Sequence, residues 1–254
     1  MIKFAMFSMF LAAMQIATAS PVLVPDTNEN STEIVMVQPG LDVFFSQADA
    51  FISKVVENGK VDYAGIKSNP QDLRDLTEMI GNADLSAADK NTKTAFYLNA
   101  YNISVISGVV EKYPIGSPLD ISGFFDAKKY KIAGEYLTLN DLENKKLRPD
   151  PRVHFSLVCA ANGCPKIMDG AFMPDKVQTQ LDSQVKKAMN DSNFTRVDAG
   201  AKNYKISHIF EWYNADFTQN GNTVLKFINQ YRDADIPADY SQLYYEYDWK
   251  LNAR

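Results

Sequence analysis

Leu41, Phe44, Phe45, Ala48, Phe51, Ile52, Val55 and Val56 recur at three- and four-residue steps, and this spacing predicts a helix over 41–58. Val61-Asp62-Tyr63 reads as a short extended piece before Gly65. Asn69-Pro70 then signals a second helix, with Asn69 as N-cap and Pro70 in the first turn. A third, longer helix is predicted from Ser86 to about Tyr113, stopped by Pro114. Its middle, Ala95 to Gly108, is apolar nearly all round, which marks a central, buried helix. Lys129 to Leu139 reads as a hairpin turning at Ala133-Gly134, followed by a short helix Asp141–Leu147 capped by Asn140. Val153–Val158 is a compact apolar run, read as a strand that leads into a loop with Gly163, Cys164 and Pro165. Pro174–Met189 has amphipathic spacing. Thr195–Val197 and Tyr204–Ile206 pair around Gly200, Ser207–Phe217 and Asn222–Tyr231 are helical, and Tyr244 to Leu251 alternates like a strand. Helices and strands mix without βαβ phasing, so the expected class is α+β, one domain with helices packed on a small mixed or antiparallel sheet.

The first twenty residues follow different rules. Lys3 precedes an apolar run from Phe4 to Ile16, and Ala17-Thr18-Ala19 supplies small residues where a signal peptidase reads. Residues 1–19 are therefore expected to be a signal peptide, 20–40 a polar leader, and 41–254 the domain. The run is short for a bilayer span of about 20 residues, and no other stretch approaches one, so no stable membrane insertion is expected after cleavage. A periplasmic or secreted location would let disulfides form.

Composition narrows the chemistry. With 254 residues and 46% hydrophobic content, the chain can bury a substantial core. The net charge of −5 and the absence of a basic stripe argue against nucleic-acid binding. Dinucleotide, P-loop, zinc-protease and nucleophile-elbow motifs are all missing, so no cofactor is expected. The two histidines are His154 and His208, and the two cysteines are Cys159 and Cys164. His154, Cys159 and Cys164 fall within eleven residues, which leaves several readings open. A Cys–His pair could act as nucleophile and base, because an imidazole lowers a thiol's pKa and takes its proton. An exported chain could instead close a Cys159–Cys164 disulfide. His-x4-Cys-x4-Cys offers three soft metal ligands but at an unusual spacing and without a fourth. Simple burial is the plainest reading. His208, at a helix start, is read as an exposed first-turn residue.

Asn99 and Asn102 share one face of the buried helix. They are candidates for orienting an imidazole or holding an oxyanion, or for bonding the helix to a loop. Glu143 could also orient His154, or be an ordinary helix carboxylate. Tyr244, Tyr245, Tyr247 and Trp249 read as core rather than as a carbohydrate platform.

The segment Arg152-Val-His-Phe-Ser-Leu-Val-Cys-Ala-Ala-Asn-Gly-Cys-Pro resembles the signature of the domain of unknown function 547 family. Three further stretches are similar to that family: Phe96-Tyr-Leu-Asn-Ala-Tyr-Asn, Ile209-Phe-Glu-Trp-Tyr-Asn-Ala-Asp-Phe, and Tyr247-Asp-Trp-Lys-Leu-Asn. The resemblance runs from about Leu41 to Asn252. It implies a loose likeness to cysteine-peptidase or transglutaminase folds, with no assigned activity for most members. Carried over by position, it implies a site of His154, Cys159 and Cys164 with Asn99, Asn102 and Glu143 nearby. Two departures stand out. Glu143 is followed by Asn144 where the family often has Glu-His, and His208 stands where a Lys-like residue is usual. His154 precedes both cysteines, the reverse of papain-like order, so a peptidase mechanism would need a permuted or convergent arrangement. The leading expectation is a cysteine-hydrolase-like site for peptide hydrolysis or acyl transfer, acting on a peptide or small molecule. In it one cysteine, Cys159 slightly ahead of Cys164, would be the nucleophile and His154 the base, with Asn102 or Glu143 as the orienting group and an Asn or backbone N–H holding the oxyanion. The alternative is a non-catalytic binding or scaffold module stapled by Cys159–Cys164.

Overall fold

Helix α1, Leu41–Val55, buries Phe44, Phe45, Ala48, Phe51, Ile52 and Val55, the stripe that the spacing requires. This computed structural model describes residues 40–254. The expected signal peptide and nearly all of the expected leader lie outside the described residues. After a small hairpin, β1 (Val56–Glu57) with β2 (Lys60–Val61), the chain forms α2 (Tyr63–Ser68) and α3 (Gln71–Asn82). Asn69 does not cap α3 as expected. It terminates α2, its N–H bonded to the carbonyl of Gly65, and Pro70 takes the N-cap position.

The central helix α4 runs over Lys90–Lys112, four residues later than expected from Ser86. Asp89 is the effective start signal, because its carboxylate accepts the Thr92 N–H at 2.7 Å. Burial from Ala95 to Val110 on nearly every side makes α4 the mast of the domain. The hairpin β3 (Tyr130–Ile132) and β4 (Glu135–Leu137) turns at Ala133-Gly134 as predicted, with both turn residues at positive φ. The next helix is capped by Thr138, not Asn140. Thr138 and Asp141 exchange the two bonds of a capping box, and Asn140 falls inside the first turn of α5, Leu139–Leu142. The helix then widens into a π-turn, Glu143–Leu147.

The largest correction concerns Val153–Val158, which is not a strand. Asp150 caps a 3₁₀ turn over Pro151–Phe155, and the chain bends through Ser156 and Leu157. Val153, Phe155 and Val158 are all buried, so the apolar run reflects burial on every side rather than a pleated ladder. Helix α6, Val177–Asn190, follows. Strands β5 (Arg196–Asp198) and β6 (Asn203–Ile206) are antiparallel, and β7 (Ser241–Tyr244) joins β6 in parallel. The expected Ser207–Phe217 helix breaks at Tyr213 into α7 (Ile209–Trp212) and α8 (Asn214–Phe217). Helix α9 is Val224–Tyr231. The alternating stretch Tyr245–Lys250 leaves the ladder. It packs its aromatic rings sideways, and isolated bridges tie Leu251 to Ala161 and Ala253 to Val61.

The fold is α+β, with small two- and three-stranded sheets around the helices. Two apolar clusters fill it. One gathers α1–α4, the β3–β4 hairpin and residues Leu157 and Val158. The other gathers Phe155, Phe194, Phe210, Phe217 and Phe227 with Tyr247. Residues 153–164 run along the seam between them. Among the described residues no helix is long and apolar enough to cross a membrane.

Candidate functional site

His154 sits in the 3₁₀ turn and is buried. Both of its ring nitrogens face carboxylates. Nδ1 lies 3.3 Å from Glu143 Oε1, and Nε2 lies 2.8 Å from Asp216 Oδ2. A neutral imidazole has a single N–H. The pair of contacts therefore suits a ring protonated on both nitrogens, or a proton held by one of the carboxyls. Asp216 is also gripped bidentately by Arg148, through Nε at 2.6 Å and Nη2 at 2.9 Å. With His154 protonated, two carboxylates stand against two cations, and the buried cluster is neutral. Burial raises the Asp216 pKa, but the bonds from Arg148 and His154 outweigh it and hold the carboxyl below its ordinary range.

Local structure explains these positions. The π-turn closes with the Arg148 N–H on the Glu143 carbonyl, so a single wide turn delivers both residues to the cluster. The break at Tyr213 lays that ring flat on His154, at 3.9 Å between centroids, while its hydroxyl donates to Glu143 Oε2 at 3.3 Å. Burial, then the neighbouring Glu143, pushes the Tyr213 hydroxyl well above its usual pKa and keeps it a donor. Asn144 accepts from Arg148 Nη1 and donates to the Asn140 carbonyl.

Cys159 and Cys164 are bonded to each other. The Tyr247 hydroxyl is 3.1 Å from Cys159 Sγ and 3.2 Å from Cys164 Sγ, and the Cys159 N–H points at Cys164 Sγ at 2.8 Å. The loop is pinned from outside, because Gly163 N–H donates to the Asp248 carbonyl and Asn162 N–H to that of Lys250. A side chain at Gly163 would come within 2.9 Å of the Asp248 nitrogen and 3.0 Å of the Tyr247 ring, so only glycine fits there.

His154, Glu143 and both cysteines border one cavity of about 330 Å³, walled by Tyr101, Phe125, Trp212, Tyr213, Tyr247 and Trp249. Of the residues expected in the site, these four are brought together. Asn99 and Asn102 are not. Asn99 exchanges two bonds with the Phe172 backbone, at 2.8 and 2.9 Å. Asn102 donates to the Ser156 carbonyl at 2.9 Å and accepts from the Val158 N–H at 3.0 Å. Both amides tie helix to loop. His208 lies apart at the head of α7, partly exposed, bonded to Glu211 at 2.6 Å and stacked between Trp212 and Tyr244.

Asp216, Arg148, Tyr213 and Tyr247 were not expected in the site. A sequence signal existed for Asp216. It takes an apolar-face position in the run Ile209, Phe210, Tyr213, Asp216 and Phe217, where a carboxylate needs a partner. Residues 85–187 match the family model described as "Protein of unknown function, DUF547". That span contains Glu143, His154 and both cysteines, and leaves Asp216 and Tyr247 outside it. No curated protein and no solved structure matches the chain.

Proposed function

We propose that this member of the DUF547 family is an exported, disulfide-stapled binding domain for a small ring-bearing ligand, held in the aromatic cavity with a donor group directed at Glu143. One observation carries the reading. Both ring nitrogens of His154 face carboxylates, and neither sulfur is a thiol, yet the cavity beside them is walled by aromatic rings. A volume of about 330 Å³ suits a compact organic molecule. The rings of Trp212, Tyr213, Tyr247 and Trp249 offer faces for stacking, and Glu143 supplies the fixed polar contact. His154 and Tyr213 occupy two of Glu143's lone-pair positions, leaving others for an N–H, O–H or ammonium group of the ligand. Export would keep the disulfide closed and agrees with the signal-like first 19 residues.

The chain's two tryptophans, Trp212 and Trp249, both border the cavity, so intrinsic fluorescence reads it directly. Titration with a panel of aromatic amines and pyranose sugars should give a saturable change with at least one class. Glu143→Gln should weaken that binding about tenfold, the scale of a hydrogen bond to a charged group. A folded protein whose fluorescence no member perturbs would overturn the reading.

A second reading is favoured by the shared cavity. Once reduced, Cys159 could act as a nucleophile with His154 as base, in peptide hydrolysis or acyl transfer. This requires His154 to leave a carboxylate. An acyl adduct on Cys159 after treating reduced protein with an activated thioester, seen by intact mass, would support it. Reduced protein that stays unacylated under those conditions removes it.

A further inference from the structure

The disulfide is bordered on two sides. Both sulfurs line the aromatic cavity, and Cys164 also borders a wider cleft of about 580 Å³ lined by Gly163, Pro165, Lys166, Asp191 and Asp248 among others. Neither cysteine is fully buried. The rate of thiol–disulfide exchange depends in part on whether a thiolate can reach a sulfur of the bond. Here a cavity large enough for a small molecule ends on the bond. The donors around the two sulfurs are unequal. Cys164 Sγ faces the Cys159 N–H and the Tyr247 hydroxyl, whereas Cys159 Sγ faces the Tyr247 hydroxyl alone.

We infer that Cys159–Cys164 is an exchangeable redox centre, attacked at Cys159 Sγ by a low-molecular-weight thiol entering through the aromatic cavity, with Cys164 as the leaving thiolate. In the first step the incoming thiolate forms a bond to Cys159 Sγ as the Cys159–Cys164 bond breaks. The electron pair goes to Cys164. Exchange is faster when the departing thiolate is the better stabilised one, and Cys164 has two hydrogen-bond donors to receive the charge. Burial raises the Tyr247 pKa, so its hydroxyl stays protonated and available. In the second step another thiolate of the same kind attacks the small molecule's sulfur in the mixed disulfide. It releases Cys159 as thiolate and leaves as the symmetrical small-molecule disulfide. Two electrons pass from two thiols to the protein bond, and the reverse sequence re-forms it. A ligand in the cavity would compete with the entering thiol, so the exchange is read on protein to which no ligand has been added.

Glutathione is the probe. The rate of disulfide loss is followed by alkylation and intact mass, on the folded chain and on the same chain in denaturant. The inference expects a folded-state rate within about tenfold of the unfolded one, since the bond is reachable. Protection of about a hundredfold or more would overturn it, because that is how a purely structural disulfide behaves. Tyr247→Phe should slow reduction several-fold in the folded state and leave the rate in denaturant unchanged. An unchanged folded-state rate would remove Tyr247 from the step. The single-cysteine variants decide the direction even if Tyr247→Phe does not fold. With glutathione disulfide, Cys164→Ala should accumulate a stable adduct at Cys159. Cys159→Ala should leave a Cys164 thiol that iodoacetamide alkylates readily at mildly acidic pH. Slower alkylation of Cys164 in that variant than of Cys159 in Cys164→Ala would reverse the assignment.

Discussion

Asp216 is the residue on which the buried cluster balances. It accepts from Arg148 twice and meets His154 at 2.8 Å; Asp216 and His154 are buried, and Arg148 is partly exposed. Replacing it with Asn keeps the volume but leaves Arg148 without its anion and His154 with Glu143 alone. Removing one partner of a buried ion pair typically costs about 3–5 kcal/mol, and Asp216→Asn should lose that much at neutral pH in urea denaturation. The pH dependence follows from the direction of the shift. Arg148 and His154 hold the folded-state pKa of Asp216 below its ordinary range despite burial, while in the unfolded chain the group titrates near about 3.9. As pH falls, the unfolded state takes up the proton first. The contribution of this carboxylate is therefore complete above about pH 4 and fades as pH drops through the depressed folded-state value. The stability gap between wild type and Asp216→Asn should be widest at neutral pH and narrow in acid. A gap that stays constant down to acidic pH would mean that Asp216 is not the titrating group.

Helix α4 does for the elements what Asp216 does for the cluster. Asn99 and Asn102, three residues apart on one face, each hold a loop by its backbone, at Phe172 and at Ser156 with Val158. Asn102→Ala would bury an unpaired carbonyl and an unpaired N–H. It should cost about 2–4 kcal/mol, and Asn99→Ala a similar amount, both measured by urea denaturation. Asn102→Ala should also shift the bend after Phe155 and so alter cavity binding. Asn99→Ala, acting on the Phe172 loop, should leave it intact. The paired asparagines were legible in the sequence as buried amides needing partners, and so were α1, the body of α4, the β3–β4 turn and the clustering of His154 with the cysteines. The geometry of Val153–Val158 was not. A short run buried on all sides carries no periodicity, and the Asp150-Pro151 pair that nucleates the 3₁₀ turn is equally at home before a strand. Helix starts were misplaced by a few residues, because Asp89 rather than Ser86 starts α4, Thr138 rather than Asn140 caps α5, and Asn69 ends α2 while Pro70 takes the N-cap position of α3. The partners of His154 lay out of reach for another reason. Asp216 is 62 positions away and meets the ring only after the helix breaks at Tyr213.

At the scale of the whole molecule, the site lies on a seam that the last residues of the chain stitch together. Leu251 N–H bonds to the Gly116 carbonyl and Asn252 N–H to that of Ala160. The Asn252 carbonyl accepts from Val61, and Arg254 N–H returns to the Val61 carbonyl. The side chain of Asn252 receives the buried Tyr63 hydroxyl at 2.8 Å. These bonds join the cluster built on α1–α4 to the disulfide loop, and the loop in turn touches the aromatic cluster through Tyr247. Without them, each cluster keeps its own apolar burial, and the coupling is left to residues 153–158 and to α6, which gives Val177 and Leu181 to one cluster and Val185, Ala188 and Met189 to the other. Cooperative unfolding depends on that coupling. In the intact chain, tryptophan fluorescence, which reports the cavity, and far-ultraviolet circular dichroism, which reports the helices, should give one coincident urea transition. Deleting residues 251–254 should separate them, with the fluorescence midpoint falling further because Trp212 and Trp249 lie on the side that loses its anchor. Asn252→Ala alone should lower both midpoints together by about 1–3 kcal/mol, the cost of leaving the Tyr63 hydroxyl unpaired, without splitting them. If the truncated chain still unfolds in one coincident transition, α6 and residues 153–158 couple the two clusters well enough by themselves, and the C-terminal stitch is dispensable for cooperativity.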